Sequence, residues 1–170
     1  MSQNYLGIDV SKSKFDVVLL VGEKSVSKEF ANTPKGMKLL QGWLRSLRAG
    51  EVHACLEATG SYSDGIANFL YEAGYCVSVV NPFRTHSFRD AKLLRNKTDK
   101  VDAGMIAEFC RSERPEPWKP PSPQVIHLQA LSRRIDALEE MRLMETNRLD
   151  TAPKQAKTSV KRMTVSYTHL

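Results

Sequence analysis

The chain has 170 residues, of which 41% are hydrophobic, and a formal net charge of +6 with a sequence pI near 9.3. This length allows one ordinary domain plus an appendage, and the apolar fraction is enough for a buried core. The longest apolar runs are only as long as a strand and the N-terminus has no apolar signal region, which predicts no membrane segment and no secretion. We therefore expect a cytoplasmic, nucleoid-associated protein, and the positive charge is weak evidence for a nucleic-acid partner.

Three runs rich in β-branched and aromatic residues open the chain and predict strands over residues 4–9, 15–21 and 25–30. The turn signal at Gly22–Glu23 indicates that they form an antiparallel meander. Thr33–Pro34 then predicts the start of a helix, because threonine is a good N-cap and proline fits the first helical position. Gly50 is expected to end that helix.

Strands and helices alternate in the next part of the chain. Residues 52–57 and 76–80 predict two more strands, and the apolar residues between them have helical spacing up to Gly74. Asn81–Pro82 ends the second of these strands, and helices follow. A meander followed by αβα units implies an α/β fold, a mixed sheet flanked by helices.

Five prolines in ten residues over Arg114–Pro123 predict a stiff linker. Beyond it, apolar residues from Leu128 to Leu138 step by three and four, which predicts a helix over 124–150 that pairs with another helix, as in a coiled coil. The expected domains are therefore a first domain over 1–113, the linker over 114–123, the pairing helix over 124–150, and a basic tail over 151–170.

Four carboxylates stand where an acid is costly to bury. Asp9 closes the first strand and Glu57 the fourth, while Asp99 and Asp102 are three residues apart at the start of a predicted helix. A buried acid is expensive unless something compensates its charge. Carboxylate oxygens are preferred Mg²⁺ ligands, and paired Mg²⁺ ions serve phosphodiester cleavage and strand transfer. The pattern therefore indicates a metal site that processes nucleic acid.

Each acid also has an ordinary structural explanation. Asp99 could be the N-cap of its helix with Asp102 in the first turn, both favoured by the helix dipole. Asp9 could start a turn, and Glu57 could be exposed at the end of its strand. From these residues alone both interpretations stay open.

The helix with the acid pair is expected to turn Asp102 toward the core, because Ile106 and Phe109 follow it by four and seven residues. Other catalytic patterns are absent from the sequence, which has no GxSxG, P-loop or GxGxxG motif and no metal-ligand spacing of its four histidines. Cys55 and Cys76 lie in strand-like runs and are expected to be small buried residues rather than zinc ligands. Three acids away from strand ends are expected on the surface: Asp16, Asp64 and Asp90.

Basic residues are concentrated next to the acid pair. From Arg84 to Lys100 there are six lysines and arginines against two acids, and a second basic cluster runs from Lys154 to Arg162. Because the first cluster leads directly into Asp99 and Asp102, we expect it to face phosphates. The predicted nucleic-acid contacts are Lys12, Arg84, Arg89, Lys92, Arg95, Lys97, Thr98 and Lys100.

Four segments together resemble the DEDD transposases of the insertion-sequence 110 type. In order and spacing they match over about residues 4–150, and more loosely to Met163. They are Gly7–Lys12, Glu57–Tyr62, Val80–Pro82 and Asn96–Ala103. The resemblance implies an N-terminal RNase H-like (RuvC-like) domain in a DNA recombinase.

The same resemblance implies that Asp9, Glu57, Asp99 and Asp102 bind Mg²⁺ and act in DNA cleavage and strand exchange. It implies dimerisation through the helix after the linker, a separate C-terminal domain with a serine nucleophile, and possible use of a structured guide RNA. No segment before Leu170 matches that serine domain, and Thr164–Leu170 matches nothing in the family, so a truncated chain that does not complete recombination is expected.

The sequence leaves two alternatives to a recombinase domain open. One is a Holliday-junction-type or RNA-directed nuclease on the same scaffold, which would hydrolyse DNA without a serine partner. The other is a non-catalytic module that binds nucleic acid and dimerises, with the four acids serving as caps.

Overall fold

The computed structural model describes residues 4–92 and 99–166, and the side chains of residues 61, 99–101 and 150 are left out of the description. The described elements, in chain order, are β1 (Asn4–Val10), β2 (Lys14–Val21), β3 (Lys24–Ala31), α1 (Pro34–Ser46), β4 (Val52–Glu57), α2 (Ser61–Glu72), β5 (Cys76–Val80), α3 (Pro82–Ala91), α4 (Asp99–Glu113), α5 (Pro123–Thr151) and α6 (Lys154–Ser166).

The five strands form one mixed sheet in the order β3-β2-β1-β4-β5. The meander β1-β2-β3 is antiparallel, whereas β1, β4 and β5 run parallel to one another. The predicted α/β fold, a mixed sheet flanked by helices, is confirmed. In this order β1 is the central strand, so it meets β2 on one side and β4 on the other.

Alternate residues of β1, β2, β4 and β5 face two separate hydrophobic clusters. Leu6 and Ile8 of β1 belong to the cluster that includes apolar residues of α1 and α2. Tyr5 belongs to the other cluster, which includes the buried face of α4. The sheet therefore lies between α1 and α2 on one face and α4 on the other, and we call the latter the α4 face.

Gly7 allows α4 to lie directly on the centre of the sheet. A Cβ atom at this position would stand 2.0 Å from the carbonyl oxygen of Ala103 and 2.3 Å from the amide nitrogen of Ala107. Farther along α4, the thiol of Cys110 lies 3.8 Å from the carbonyl oxygen of His53, near the start of β4. The helix therefore begins at the edge where β1 and β4 end and runs back along them.

The first half of the proline-rich segment packs on the sheet. The Trp118 amide donates to the carbonyl of Val77 at 2.6 Å, and its ring meets the ring of Tyr71 edge-on, with 6.1 Å between centroids. The partly buried indole packs against the core and fixes this part of the segment. Accordingly, the first of two compact units extends to Pro120 and the second begins at Pro121.

The second unit consists of α5 and α6. Helix α5 has Ser122 as N-cap and Pro123 as its first residue, and Ala152 ends it close to the predicted boundary. The segment expected to be a basic tail instead contains α6, because its alanine, lysine and arginine residues are good helix formers. The coiled coil stays a prediction. No described helix is long and apolar enough to cross a bilayer.

Candidate metal and nucleic-acid site

Asp9 and Glu57 lie side by side at one edge of the sheet. Ile8 is opposite Leu56 in the parallel pair β1–β4, so the next residue on each strand is one of the two acids. Strand alternation directs both toward the α4 face. Each is partly buried. Asp9 is a strand residue opposite Asp16 of β2 and does not start a turn. The sequence therefore predicted the position of this pair.

Asp16 lies on the same face and is buried, with 7% of its surface exposed. The expectation that it is a surface acid is wrong, because even-numbered residues of β2 face α4, as Val18 and Leu20 do. The run from Phe15 to Val21 is apolar except for Asp16, which is typical of a strand buried on both faces and would have predicted the burial of Asp16. The other two acids of that group, Asp64 and Asp90, are exposed as expected.

The strand register arranges four acids in a row across the sheet. Asp16 is opposite Asp9 on one side and Glu29 on the other, and Glu57 follows on the far side of Asp9. Lys14 compensates the outer part of this row: its Nζ lies 3.3 Å from Asp16 Oδ2 and 2.7 Å from Glu29 Oε2. Adjacent like charges are unfavourable in a sheet unless cations stand among them.

Glu57 is held by a buried hydroxyl from α3. Thr85 is fully buried, and its Oγ1 donates to Glu57 Oε1 at 2.5 Å. Helix α3 starts at this edge because Asn81 caps it, accepting from the Phe83 amide at 2.9 Å. Glu57 is therefore positioned rather than simply exposed at a strand end. Sequence reasoning missed Thr85, since no local pattern links it to a residue 28 positions away.

Asp102 forms an ion pair with Arg89. Arg89 Nη2 donates to Asp102 Oδ1 at 2.6 Å, and the two side chains are only 16% and 17% exposed. Ile106 and Phe109, on the same face of α4, are almost fully buried. The prediction that Asp102 is directed toward the core is thus confirmed, and Arg89, expected to contact nucleic acid, contacts this acid.

The donor chemistry at this edge suits Mg²⁺. Asp9, Glu57 and Asp102 offer carboxylate oxygens from the edge where β1 and β4 end and α4 begins, and Asp99 starts α4 three residues before Asp102. Two residues after Glu57, the buried hydroxyl of Thr59 has no hydrogen-bond partner within the described chain. Among the described side chains, however, no three histidine, cysteine or acidic residues are already arranged to hold a metal.

The predicted nucleic-acid contacts are only partly within the description. Lys12 is exposed in the β1–β2 turn, three residues after Asp9. Arg84 is exposed on α3 with its guanidinium 5.5 Å from the Phe109 ring centroid, and Lys92 follows α3 with its Nζ 4.6 Å from the Phe88 centroid. Outside the described residues or side chains lie Arg95, Lys97, Thr98 and Lys100.

The family model described as "Transposase", for the DEDD transposases of the insertion-sequence 110 type, matches residues 6–156. The chain belongs to this family. Its match covers both strand-end acids, the whole of α4 and most of the helical unit, which agrees with the four segments that suggested the family from sequence.

Two curated relatives are the pilin gene-inverting proteins of Moraxella bovis and Moraxella lacunata, each 31% identical over 150 residues, or 87% of this chain. The chain spans about half the length of these relatives, 47% of each. Among solved structures, Thermus thermophilus RuvC in complex with a Holliday junction substrate is 12% identical with a TM-score of 0.48, covering 69% of this chain and all of that one. A second Thermus thermophilus RuvC structure has the same TM-score at 14% identity.

Proposed function

We propose that this chain supplies the metal-dependent catalytic domain of a DNA transposase or site-specific recombinase, with Asp9, Glu57, Asp99 and Asp102 as Mg²⁺ ligands. The observation that carries the proposal is that Asp9 and Glu57 lie near the C-terminal ends of neighbouring parallel strands, at the edge where α4 begins. Bound Mg²⁺ would stabilise charge on the attacking and leaving oxygens of a phosphodiester.

The residues around the acids have separable roles in this proposal. Thr85 orients the Glu57 carboxylate, and Lys14 compensates the charge of Asp16, which is not a proposed metal ligand. Exposed Lys12 and Arg84 would contact DNA phosphates, together with Lys92 and the basic residues that follow it in sequence. Such contacts give affinity and salt dependence but little sequence reading.

Complete strand exchange is proposed for a longer protein, because the chain spans only about half of its curated relatives. A serine nucleophile from another domain would complete the site, a structured guide RNA could select the DNA, and the 124–150 helix would join copies of the protein. The relatives are named for inversion of a pilin gene, and a DNA rearrangement of that kind is consistent with the proposed chemistry.

The test is divalent-ion binding by calorimetry on the 170-residue chain and three isosteric variants, Asp9→Asn, Glu57→Gln and Asp102→Asn. Each loses one anionic ligand, so we expect Mn²⁺ and Mg²⁺ affinity to fall by roughly tenfold or more. Asp64→Asn, an exposed acid on α2, is the matched control and should bind like the unmodified chain.

Unchanged affinity in all three variants would support the module whose acids are only structural. Cleavage assays on a four-way DNA junction separate the remaining alternatives. Metal-dependent hydrolysis of the junction by this chain alone would favour a junction-type nuclease, whereas metal and DNA binding without cleavage would agree with a recombinase that needs a further domain.

A further inference from the structure

Arg89 forms an ion pair with Asp102, the acid that α4 brings to the proposed metal site. Its Nη2 donates to Asp102 Oδ1 at 2.6 Å, a length typical of a strong charge-assisted hydrogen bond. Both partners are more than four-fifths buried. Salt screens buried charges less than exposed ones. The charge of the Arg89 guanidinium therefore acts more strongly on a nearby cation than that of a surface arginine would.

Packing between α3 and α4 holds the guanidinium in this position. Arg89 Nε lies 3.4 Å from the sulfur of Met105, one turn along α4 from Asp102. Beside it, the rings of Phe88 and Phe109 meet edge-on with 5.5 Å between centroids. Arg89 is thus fixed by the helix pair itself, unlike an exposed arginine that samples solvent freely.

The geometry points to Arg89 as a built-in counter-ion of Asp102 that competes with the divalent ion and so sets the metal affinity of the site. This inference rests on the proposed metal-binding function. A guanidinium and a divalent cation that share one carboxylate repel each other, and the guanidinium already takes one of its oxygens. Because the two cations repel each other across this carboxylate, metal binding is expected to weaken the Arg89–Asp102 pair.

The rest of the acid row supports this role for Arg89. Lys14 already lies within 3.3 Å of both Asp16 and Glu29, which places its charge at the outer end of the row. Arg89, in turn, contacts Asp102 of α4.

The experiment measures Mn²⁺ binding by calorimetry to the 170-residue chain and to Arg89→Met, Arg89→Gln and Arg89→Lys. Removing the charge in the first two should raise Mn²⁺ affinity by roughly tenfold, whereas Arg89→Lys should stay within about threefold of the unmodified chain. In EDTA, Arg89→Met should melt at a lower temperature because Asp102 loses its counter-ion, and Mn²⁺ should raise its Tm more than that of the unmodified chain.

Arg111→Met is the matched control, since Arg111 is also paired with an acid of α4, Glu108, away from the strand ends. Its Mn²⁺ affinity should not change. If Arg89→Met does not fold, the comparison of Arg89→Gln with Arg89→Lys decides the question. Equal or weaker Mn²⁺ binding by both neutral variants would overturn the inference while leaving the proposed function intact, whereas no Mn²⁺ binding by the unmodified chain would overturn the proposed function.

Discussion

At the scale of single residues, the site depends on partners that hold carboxylates in place. Glu57 receives the Thr85 hydroxyl and Asp102 receives the Arg89 guanidinium. A buried acceptor that loses its donor costs more free energy than the hydrogen bond itself contributes, since the group is left desolvated. These partners are therefore sensitive positions although they are not proposed metal ligands.

Thr85→Val tests the support of Glu57. Valine keeps the shape of the buried side chain but removes the hydroxyl, so the free energy of unfolding should fall by about 1–3 kcal/mol. Urea denaturation measures this change. Thr85→Ser retains the donor and should recover most of the lost stability, and equal losses in the two variants would assign the effect to packing instead.

The strand-end acids were predictable from sequence and their partners were not. Asp9 and Glu57 each end an apolar run, and alternation with adjacent strands puts them at one edge. Thr85 and Arg89 both lie on α3, and their partners are Glu57 and Asp102. Because each pair is far apart along the chain, no local sequence pattern predicts either contact. The α4 face of the sheet also includes Asp16, because side chains alternate along β2 and Val18 and Leu20 lie on that face.

At the scale of elements, the decisive contact is that between α4 and β1. Gly7 has no side chain, and the backbone of α4 occupies the space where a Cβ would stand. This close approach sets the height of α4 above the sheet and hence the position of Asp102 relative to Asp9. The glycine acts here through its size.

Gly7→Ala should therefore destabilise the fold strongly, by about 3 kcal/mol or more, because the added Cβ would overlap backbone atoms that cannot rotate away. Gly42→Ala is the control: Gly42 is exposed within α1, and its Cβ would meet nothing within 4 Å. That variant should gain about 0.5–1 kcal/mol from helix propensity. Thermal melts followed by circular dichroism measure both, and a mild effect at Gly7 would contradict the close packing.

At the scale of the whole chain, two compact units have different expected tasks. The first contains the sheet and the acids, and the second exposes apolar side chains along α5, including Leu128, Leu131 and Ile135. Apolar residues at this spacing favour pairing with another helix. The second unit is thus the expected oligomer contact, and the first is the expected DNA contact.

Leu131→Lys combined with Ile135→Lys should convert a self-associating chain into a monomer, since each lysine places a charge in the predicted seam. Sedimentation equilibrium at several protein concentrations measures the change. Gln129→Lys adds a charge at an exposed polar position of the same helix, away from the seam, and should leave association intact. A monomeric unmodified chain would contradict the predicted helix pairing.

DNA binding should depend on the basic residues beside the site. Lys12→Gln combined with Arg84→Gln should weaken binding to all DNA sequences alike and reduce the slope of log affinity against log salt by about 2. Fluorescence anisotropy across a salt series measures this slope. Lys35→Gln on α1, which packs on the opposite face of the sheet, should leave it unchanged.

The sequence by itself determined the order of strands and helices along the chain, the helix start at Thr33, the acids at strand ends and the family, because alternation, capping and motif spacing are local properties. Only the tertiary structure decided which groups compensate those acids. Arg89 reaches Asp102 because α3 packs on α4, and Thr85 reaches Glu57 because α3 lies beside the end of β4. Lys14 reaches Glu29 because β2 pairs with β3. Such contacts join residues that are distant along the chain or on neighbouring strands, so no periodicity in the sequence records them.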